Sequence, residues 1–190
     1  MEMNIDKADK FHVRLATIDD ADIIAWHRAR MFQDMGDLQS RSFESFRKKS
    51  CERLRDVIAR GEYVGWVATL KITPDKVIAG AGVHLRRVLL HPAKNAPAFA
   101  EGRHAIVVNV FTEPEWRRQG LAAILLRRII DWSREQKVDE LILHSSTEGR
   151  SLYERLGFVP TTEMRFADDD LVSKNKLQRV AECEETRHRL

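Results

Sequence analysis

The chain has 190 residues and is highly charged, but its 32 Lys and Arg nearly balance its 29 Asp and Glu, leaving a net charge of +3. Basic and acidic residues are interleaved and no apolar run reaches 18 residues, so nucleic-acid and membrane partners are not expected. The length fits one domain with a full core. The polar N-terminus is unlike a signal peptide, and Cys51 and Cys183 are expected to be free thiols in a reducing cytoplasm.

The first half of the chain shows strand and helix patterns in turn. Thr17 and Asp20 have the spacing of a helix-capping box, which predicts a helix start. Thr73, Pro74 and Asp75 predict a turn between two strands. The predicted elements are a strand at 11–15, a helix from 18 that breaks near Gly36, a helix at 43–60, and strands at 63–70 and 76–85.

The second half contains a lone glycine between a strand and a helix. Residues 105–111 are rich in β-branched side chains, and residues 120–136 repeat apolar side chains at helical spacing. A glycine at such a turn lets a ligand approach the backbone, and the unpaired N–H groups of a helix start attract phosphate. Arg117 and Arg118 add positive charge. The sequence therefore predicts a diphosphate-binding turn, although it has neither a P-loop nor a dinucleotide fingerprint.

Two motifs give this region a family resemblance. Arg117-Arg118-Gln119-Gly120-Leu121-Ala122 resembles the pyrophosphate loop [RQ]-x-x-G-x-[GA] of the GNAT N-acetyltransferases. Leu152-Tyr153-Glu154-Arg155-Leu156-Gly157-Phe158, after a short apolar strand, is similar to the second half of that family's cofactor site. Together the motifs cover about residues 104–166, with a final strand expected at 159–166.

The resemblance implies a mixed α/β fold, in which a mainly antiparallel central sheet carries helices on both faces. It places the domain at residues 11–167, between an extension at 1–10 and a charged tail or peripheral helix at 168–190. The connection at 86–103 is long for a compact domain. It either covers the acceptor site or is a plain surface loop.

The resemblance also implies acetyl-CoA as co-substrate and no metal. The pantetheine arm would pair with the backbone of the strand before the motif, and the pyrophosphate would lie on the glycine turn. Ser146 stands where the family usually has an asparagine that contacts pantetheine. The implied cofactor-binding residues are Val110, Phe111, Thr112, Arg117, Arg118, Gln119, Gly120, Leu121, Ala122 and Ser146.

Acetyl transfer to an amine needs a proton donor for the leaving thiolate and an acceptor for the amine proton. Tyr153 is the candidate acid, because a phenol is protonated at neutral pH. Glu113, His104 and His84 are candidate bases, and Glu113 is taken with Tyr153 as the catalytic pair. Acceptor contacts are expected from residues 28–37, where Arg30, Gln33 and Asp34 lie, and from Asn109 in the strand.

The function that the resemblance implies is transfer of an acetyl group from acetyl-CoA to the primary amine of a small molecule by direct attack, without an acyl-enzyme. Two alternatives stay open. One is an acetyltransferase acting on protein N-termini or lysines, and the other is a non-catalytic acyl-CoA sensor. A cytoplasmic location is expected, and the sequence is compatible with a homodimer.

Overall fold

The computed structural model describes residues 10–92 and 99–162. Its strands and α-helices fall within one compact unit, residues 1–157. In chain order they are β1 (Phe11–Leu15), α1 (Ala21–Asp34), α2 (Phe43–Ala59), β2 (Tyr63–Leu70), β3 (Thr73–Arg87), β4 (His91–Pro92), β5 (Phe99–Ala100), β6 (Arg103–Thr112), α3 (Leu121–Glu135), β7 (Glu140–Leu143) and α4 (Arg150–Arg155). Short 3₁₀ turns occupy Ile18–Asp20, Ser40–Ser42 and Pro114–Trp116.

Five strands form the central sheet in the order β1-β2-β3-β6-β7. The first four pair antiparallel with their neighbours, whereas β6 and β7 are parallel. Parallel neighbours need a crossover connection, and α3 supplies it. The predicted fold class, a mainly antiparallel mixed sheet with helices, is confirmed.

The helices cover both faces of the sheet. Neighbouring residues of a strand point to opposite faces, so one strand can pack against different helices. Val67 of β2 belongs to a buried cluster with Ile24 of α1 and Val57 of α2. The adjacent Trp66 packs edge-to-face on Trp132 of α3, with ring centroids 5.7 Å apart. Burying a side chain of this size contributes about 1.5–3 kcal/mol, so both layers stabilise the sheet that carries the site.

The start of the first helix follows the prediction, but the β2–β3 turn does not. The Asp20 carboxylate accepts a 2.8 Å hydrogen bond from the Thr17 backbone N–H, as in a capping box. The predicted turn at 73–75 is wrong, because Leu70 pairs with Thr73 and only residues 71–72 connect the strands. Thr69 then faces Val77, so residues 74–76 bulge out of the ladder. Proline has no N–H for a ladder bond, and the bulge accommodates it.

The connection at 86–103 is shorter than predicted, because β3 and β6 extend towards each other. Among its described residues, β4 pairs antiparallel with β5. The Val88 N–H donates to the Gly102 carbonyl at 2.8 Å and joins the two ends of the connection.

Several predictions lie wholly or partly outside the described residues. The tail at 168–190, Cys183 and all but Lys10 of the extension at 1–10 are among them, and the domain limits stay a prediction. Of the expected final strand, residues 159–162 are described and are not in a strand. Cys51 is a half-buried free thiol on α2. Within the described ranges, no helix is long and apolar enough to cross a bilayer.

Candidate active site

The side of β6 that faces β7 loses its strand partner halfway along β6. β7 pairs with residues 104–107 of β6 and then ends at Leu143, while β6 continues to Thr112. Just beyond the last pair, Val108 faces Gly82 and Phe111 faces Gly80, so β6 carries an extra residue there. Asn109 in this bulge has a left-handed φ of 57°, a conformation that asparagine tolerates better than most residues. β6 therefore has no pairing with β7 over the segment predicted to pair with pantetheine.

The turn after β6 presents backbone donors around Gly120. Arg118 and Gly120 both have left-handed φ values, 63° and 88°. The first hydrogen bond of α3 runs from the Ile124 N–H to the Gly120 carbonyl at 3.0 Å, so the N–H groups just after Gly120 start the helix without partners in it. A Cβ built on Gly120 has no described heavy atom within 4 Å. The turn is open, and together with the helix dipole it suits a diphosphate.

The Arg117 side chain is engaged elsewhere than the sequence predicts. Its Nη2 lies 2.6 Å from Asp34 Oδ2 at the end of α1, and its Nε donates to the Thr112 carbonyl at 3.0 Å. The guanidinium also lies 5.6 Å from the centre of the Phe111 ring. Arg117 thus links the end of α1 to the end of β6, and the exposed Arg118 is the arginine left facing solvent at the turn.

Ser146 and Tyr153 lie at the start of α4, after β7. The Ser146 hydroxyl accepts a 3.2 Å hydrogen bond from the Gly149 N–H and so stabilises the turn that leads into the helix. The ring of Tyr153 packs over Gly149, where a Cβ would come 3.0 Å from it. Burial raises the pKa of Tyr153, which keeps the phenol protonated at neutral pH.

A buried imidazole lies beside the acid at the end of β6. His27 of α1 is 1% exposed, and its Nε2 is 3.3 Å from Glu113 Oε1, in a geometry that does not make a hydrogen bond. Burial lowers the pKa of His27 to about 4, so at neutral pH the contact is between an uncharged ring and a carboxyl group. Burial, followed by the charge of Glu115, raises the pKa of Glu113.

A chain of three polar groups crosses from α1 to β2 at the bulge. Arg28 Nη1 donates to Asn109 Oδ1 at 2.6 Å, and Asn109 Nδ2 lies 3.5 Å from the Tyr63 hydroxyl. Asn109 and Tyr63 are buried, and burial raises the pKa of Tyr63 to about 12. The Tyr63 ring lies over Gly65 and Gly82, where a Cβ on either would collide with it.

The structure brings together some of the predicted site residues and separates others. Glu113 and Asn109 lie at the end of β6 beside α1, and Asp34 joins them through Arg117. His104 contacts Glu140 (Nδ1 to Oε2, 3.7 Å) and is five strand residues from Asn109, roughly 16 Å at the usual rise per residue.

His84 pairs with Ile106 near that same end of the sheet, so neither histidine accompanies Glu113. Arg30 adds a positive charge that opposes the raised pKa of Glu113, and Gln33 bonds to Ser40 at 3.2 Å.

His27 and Tyr63 are functional candidates that the sequence analysis missed. The sequence did contain a signal for His27. Three and four residues after Ile24, where an amphipathic helix normally carries apolar residues, this chain has His27 and Arg28. In the described part of the chain, no group of three or more His, Cys, Asp or Glu side chains is arranged to hold a metal ion.

Comparisons with known proteins agree with this geometry. The family model of the acetyltransferase (GNAT) family matches residues 13–158. A GCN5-related N-acetyltransferase from Ralstonia eutropha is 25% identical with a TM-score of 0.72, covering 84% of this chain and 99% of its own. A predicted acetyltransferase with acetyl-CoA from Clostridium acetobutylicum is 23% identical with a TM-score of 0.69, covering 83% and 96%. An aminoglycoside N-acetyltransferase in complex with CoA shares the fold at 14% identity and a TM-score of 0.59, covering 83% and 93%. Among curated proteins, no sequence matches the chain significantly.

Proposed function

This chain belongs to the GNAT family of acetyltransferases, and we propose that it transfers the acetyl group of acetyl-CoA to the primary amine of a small molecule by direct attack. The observation that carries this proposal is that β6 continues past its last pair with β7, at Val107, through the bulge at Asn109 and then into the open turn at Gly120. One continuous stretch of backbone thus offers both a strand edge and a diphosphate cradle.

The cofactor would lie along this stretch. Its pantetheine arm pairs with the backbone of residues 110–112, and its pyrophosphate takes the N–H groups of residues 118–122 at the start of α3. The exposed Arg118 adds positive charge, while Ser146 keeps its hydroxyl proton for a second contact. Bound in this way, acetyl-CoA supplies a thioester carbonyl near the bulge.

The proposed reaction is a single acyl transfer with two proton movements. The amine nitrogen attacks the thioester carbonyl carbon, a C–N bond forms and the C–S bond breaks. The amine proton passes to the Glu113 carboxylate, directly or through water, and the thiolate takes the phenol proton of Tyr153. The products are an amide and free CoA thiol, and both side chains then exchange protons with solvent. None of these steps calls on a metal ion.

Glu113 suits the role of base for a physical reason. A carboxyl group with a raised pKa is a stronger base than an ordinary one, and burial raises the pKa of Glu113. Its backbone is held in place, because the Glu113 N–H donates to the Ile78 carbonyl at 2.9 Å. The neutral His27 ring packs against the carboxyl without forming a competing ion pair.

The nature of the acceptor site favours a small amine over the two alternatives. Its polar groups, Asn109 and Tyr63, are buried, which suits a small acceptor better than a polypeptide bound across an open surface. A non-catalytic sensor needs the Gly120 turn but has no need of an acid such as Tyr153 or a base such as Glu113. The expected cytoplasmic location and homodimer stay predictions.

A panel of amines with acetyl-CoA, followed by thiol release, tests the proposal. We expect turnover of small amines, with little or none of lysine-containing peptides. Gly120→Glu places bulk and negative charge in the turn and should abolish both CoA binding and turnover. CoA binding without turnover of any acceptor would favour the sensor, and preferred turnover of peptides would favour a protein acetyltransferase.

A further inference from the structure

Arg28 of α1 is a half-buried cation at the acceptor side of the site. Among the described residues, its guanidinium makes one hydrogen bond, to the neutral side chain of Asn109, and lies 4.9 Å from the centre of the Phe32 ring. A guanidinium carries five N–H donors, so most of its hydrogen-bonding capacity is left for another partner. Within residues 10–92 and 99–162, no carboxylate forms an ion pair with Arg28.

Two other arginines near α1 are paired with carboxylates. Arg14 forms two hydrogen bonds with Asp20, at 2.7 and 2.8 Å, and Arg117 is 2.6 Å from Asp34. Both guanidinium groups are partly exposed to water, and each is still paired with a carboxylate. The half-buried guanidinium of Arg28 has no such partner among the described residues, although a charge removed from water is costly unless it is paired.

The neighbours of Arg28 described above, Asn109 and Tyr63, do not neutralise its positive charge. Burial lowers its pKa, and the group that opposes this effect is the Tyr63 phenol, which is not an acid at neutral pH. Asn109 is fixed by its bonds to Arg28 and Tyr63, and the Tyr63 ring is seated over two glycines. Arg28 is therefore held in a rigid arrangement, which lowers the entropy lost when a ligand binds.

The positive charge of Arg28 lies close to the proposed position of the acetyl donor. Asn109, to which Arg28 is bonded, directly precedes Val110, where the pantetheine arm is proposed to pair. We propose that Arg28 binds an oxyanion of the acceptor, so that the substrate is a small amine that also carries a carboxylate or phosphate group. The planar guanidinium matches both oxyanions through two parallel hydrogen bonds. This inference rests on the proposed acetyl transfer to a small amine.

Pairs of acceptors that differ only in the oxyanion test the inference. 4-Aminobutanoate is compared with 4-aminobutanamide, an α-amino acid with its amide, and glucosamine 6-phosphate with glucosamine, which separates carboxylate from phosphate. The wild-type enzyme should prefer the anionic member of at least one pair through a lower KM. Equal or better use of the neutral members in every pair would overturn the inference and leave acetyl transfer standing.

Variants then assign the preference to Arg28. Arg28→Gln should raise KM for the anionic acceptor about 10–100-fold, the usual effect of losing a hydrogen bond to a charged group, and leave the neutral acceptor and CoA affinity within about threefold. Arg28→Lys should fall between the two and carries the test if Arg28→Gln does not fold. Arg47→Gln, at an arginine of α2 whose guanidinium is already paired with Asp22 and Glu44, is the matched control and should keep the preference.

The outcomes separate the inference from the function on which it rests. A preference that survives in Arg28→Gln contradicts the role of Arg28, as does an equal loss for both members of a pair. Absence of thiol release with every amine, in a protein that binds CoA, overturns the proposed function itself and the inference with it.

Discussion

The cofactor side and the acceptor side of this site are built in different ways. The proposed cofactor side comprises residues 110–122 and α4, and its expected contacts come mostly from backbone groups that are contiguous in the sequence. The proposed acceptor side comprises His27, Arg28, Tyr63 and Asn109, whose side chains come from α1, β2 and β6. Backbone recognition needs a particular chain path, whereas side-chain recognition needs distant residues to meet in the folded protein.

The two sides also differ in their exposure to water. The Gly120 turn is exposed, so the helix dipole and Arg118 act there on a ligand that brings its own charge. On the acceptor side, burial shifts the pKa values of His27 and Tyr63 strongly, to about 4 and about 12. Both groups are uncharged at neutral pH, which leaves Arg28 as the cation among them. We therefore expect the acceptor side to select an anionic acceptor through Arg28.

The two tyrosines provide the largest expected contrast between these sides. Tyr153→Phe removes the proposed acid and should lower kcat about 10²–10⁴-fold while CoA affinity stays near that of wild type. Tyr63→Phe removes the hydroxyl next to Asn109 and should mainly raise KM for the acceptor. Steady-state kinetics and CoA titration on both variants check this. If kcat of Tyr153→Phe stays within about threefold of wild type, against the range expected for a general acid, Tyr153 is a packing residue.

Glu113 lies where the two sides meet, and its role can be examined through pH. Glu113→Gln should lower kcat about 10²-fold or more and remove an acid limb from the pH–rate profile. In wild type the rate should fall as Glu113 takes up a proton, and the raised pKa of Glu113 should move this limb to higher pH than for an ordinary carboxyl group.

Glu115→Gln is the matched variant for Glu113→Gln. It removes a neighbouring like charge, so it should lower the pKa of Glu113 and move the limb to lower pH without removing it. An acid limb that is unchanged in Glu113→Gln would show that another group accepts the amine proton.

The difference between the sides explains what the sequence could predict. The Gly120 turn, the helix after it and the motif around Tyr153 are local patterns, and each was found at its observed place. The helices at 43–60 and 120–136 were likewise predicted from the periodic spacing of their apolar residues. The meeting of His27 with Glu113, and of Arg28 with Tyr63, depends on how α1 packs on β2 and β6, and no local pattern encodes it. The direction of the Arg117 side chain was missed for the same reason, because its partner Asp34 is 83 residues away.

His27 should make the stability of the acceptor side depend on pH. The unfolded imidazole takes up a proton below about pH 6.5, whereas the folded one does so only below about pH 4. The unfolded state therefore binds more protons between these values, and the free energy of unfolding should fall by roughly 3 kcal/mol as the pH drops from 6.5 to 4.

Urea denaturation at several pH values measures this dependence. His27→Leu should lose most of the slope, because it has no proton to bind. His12→Gln, at an exposed position of β1, should keep the slope. An equal acid sensitivity of wild type and His27→Leu would mean that other groups cause it.

Gly120→Ala has the smallest expected effect and tests what the cofactor side requires. A Cβ at Gly120 meets no described atom of the protein, so within the apo protein the cost is only that of a left-handed φ, about 1–2 kcal/mol. Gly61→Ala is the matched control, because Gly61 also has a positive φ and open space around it, at the end of α2. Both variants should lose similar stability, and Gly120→Ala alone should weaken CoA binding, by about tenfold or 1.4 kcal/mol.

Gly120→Asn then distinguishes two reasons for that loss, because asparagine tolerates the left-handed conformation. If Gly120→Asn regains stability but still binds CoA weakly, the phosphate approaches the backbone too closely for any side chain. If it regains both, the turn needs only its conformation, and the N–H groups after Gly120 bind the diphosphate whatever side chain precedes them. Wild-type CoA affinity in Gly120→Ala would instead place the diphosphate away from this turn, and the backbone account of the cofactor side would fail.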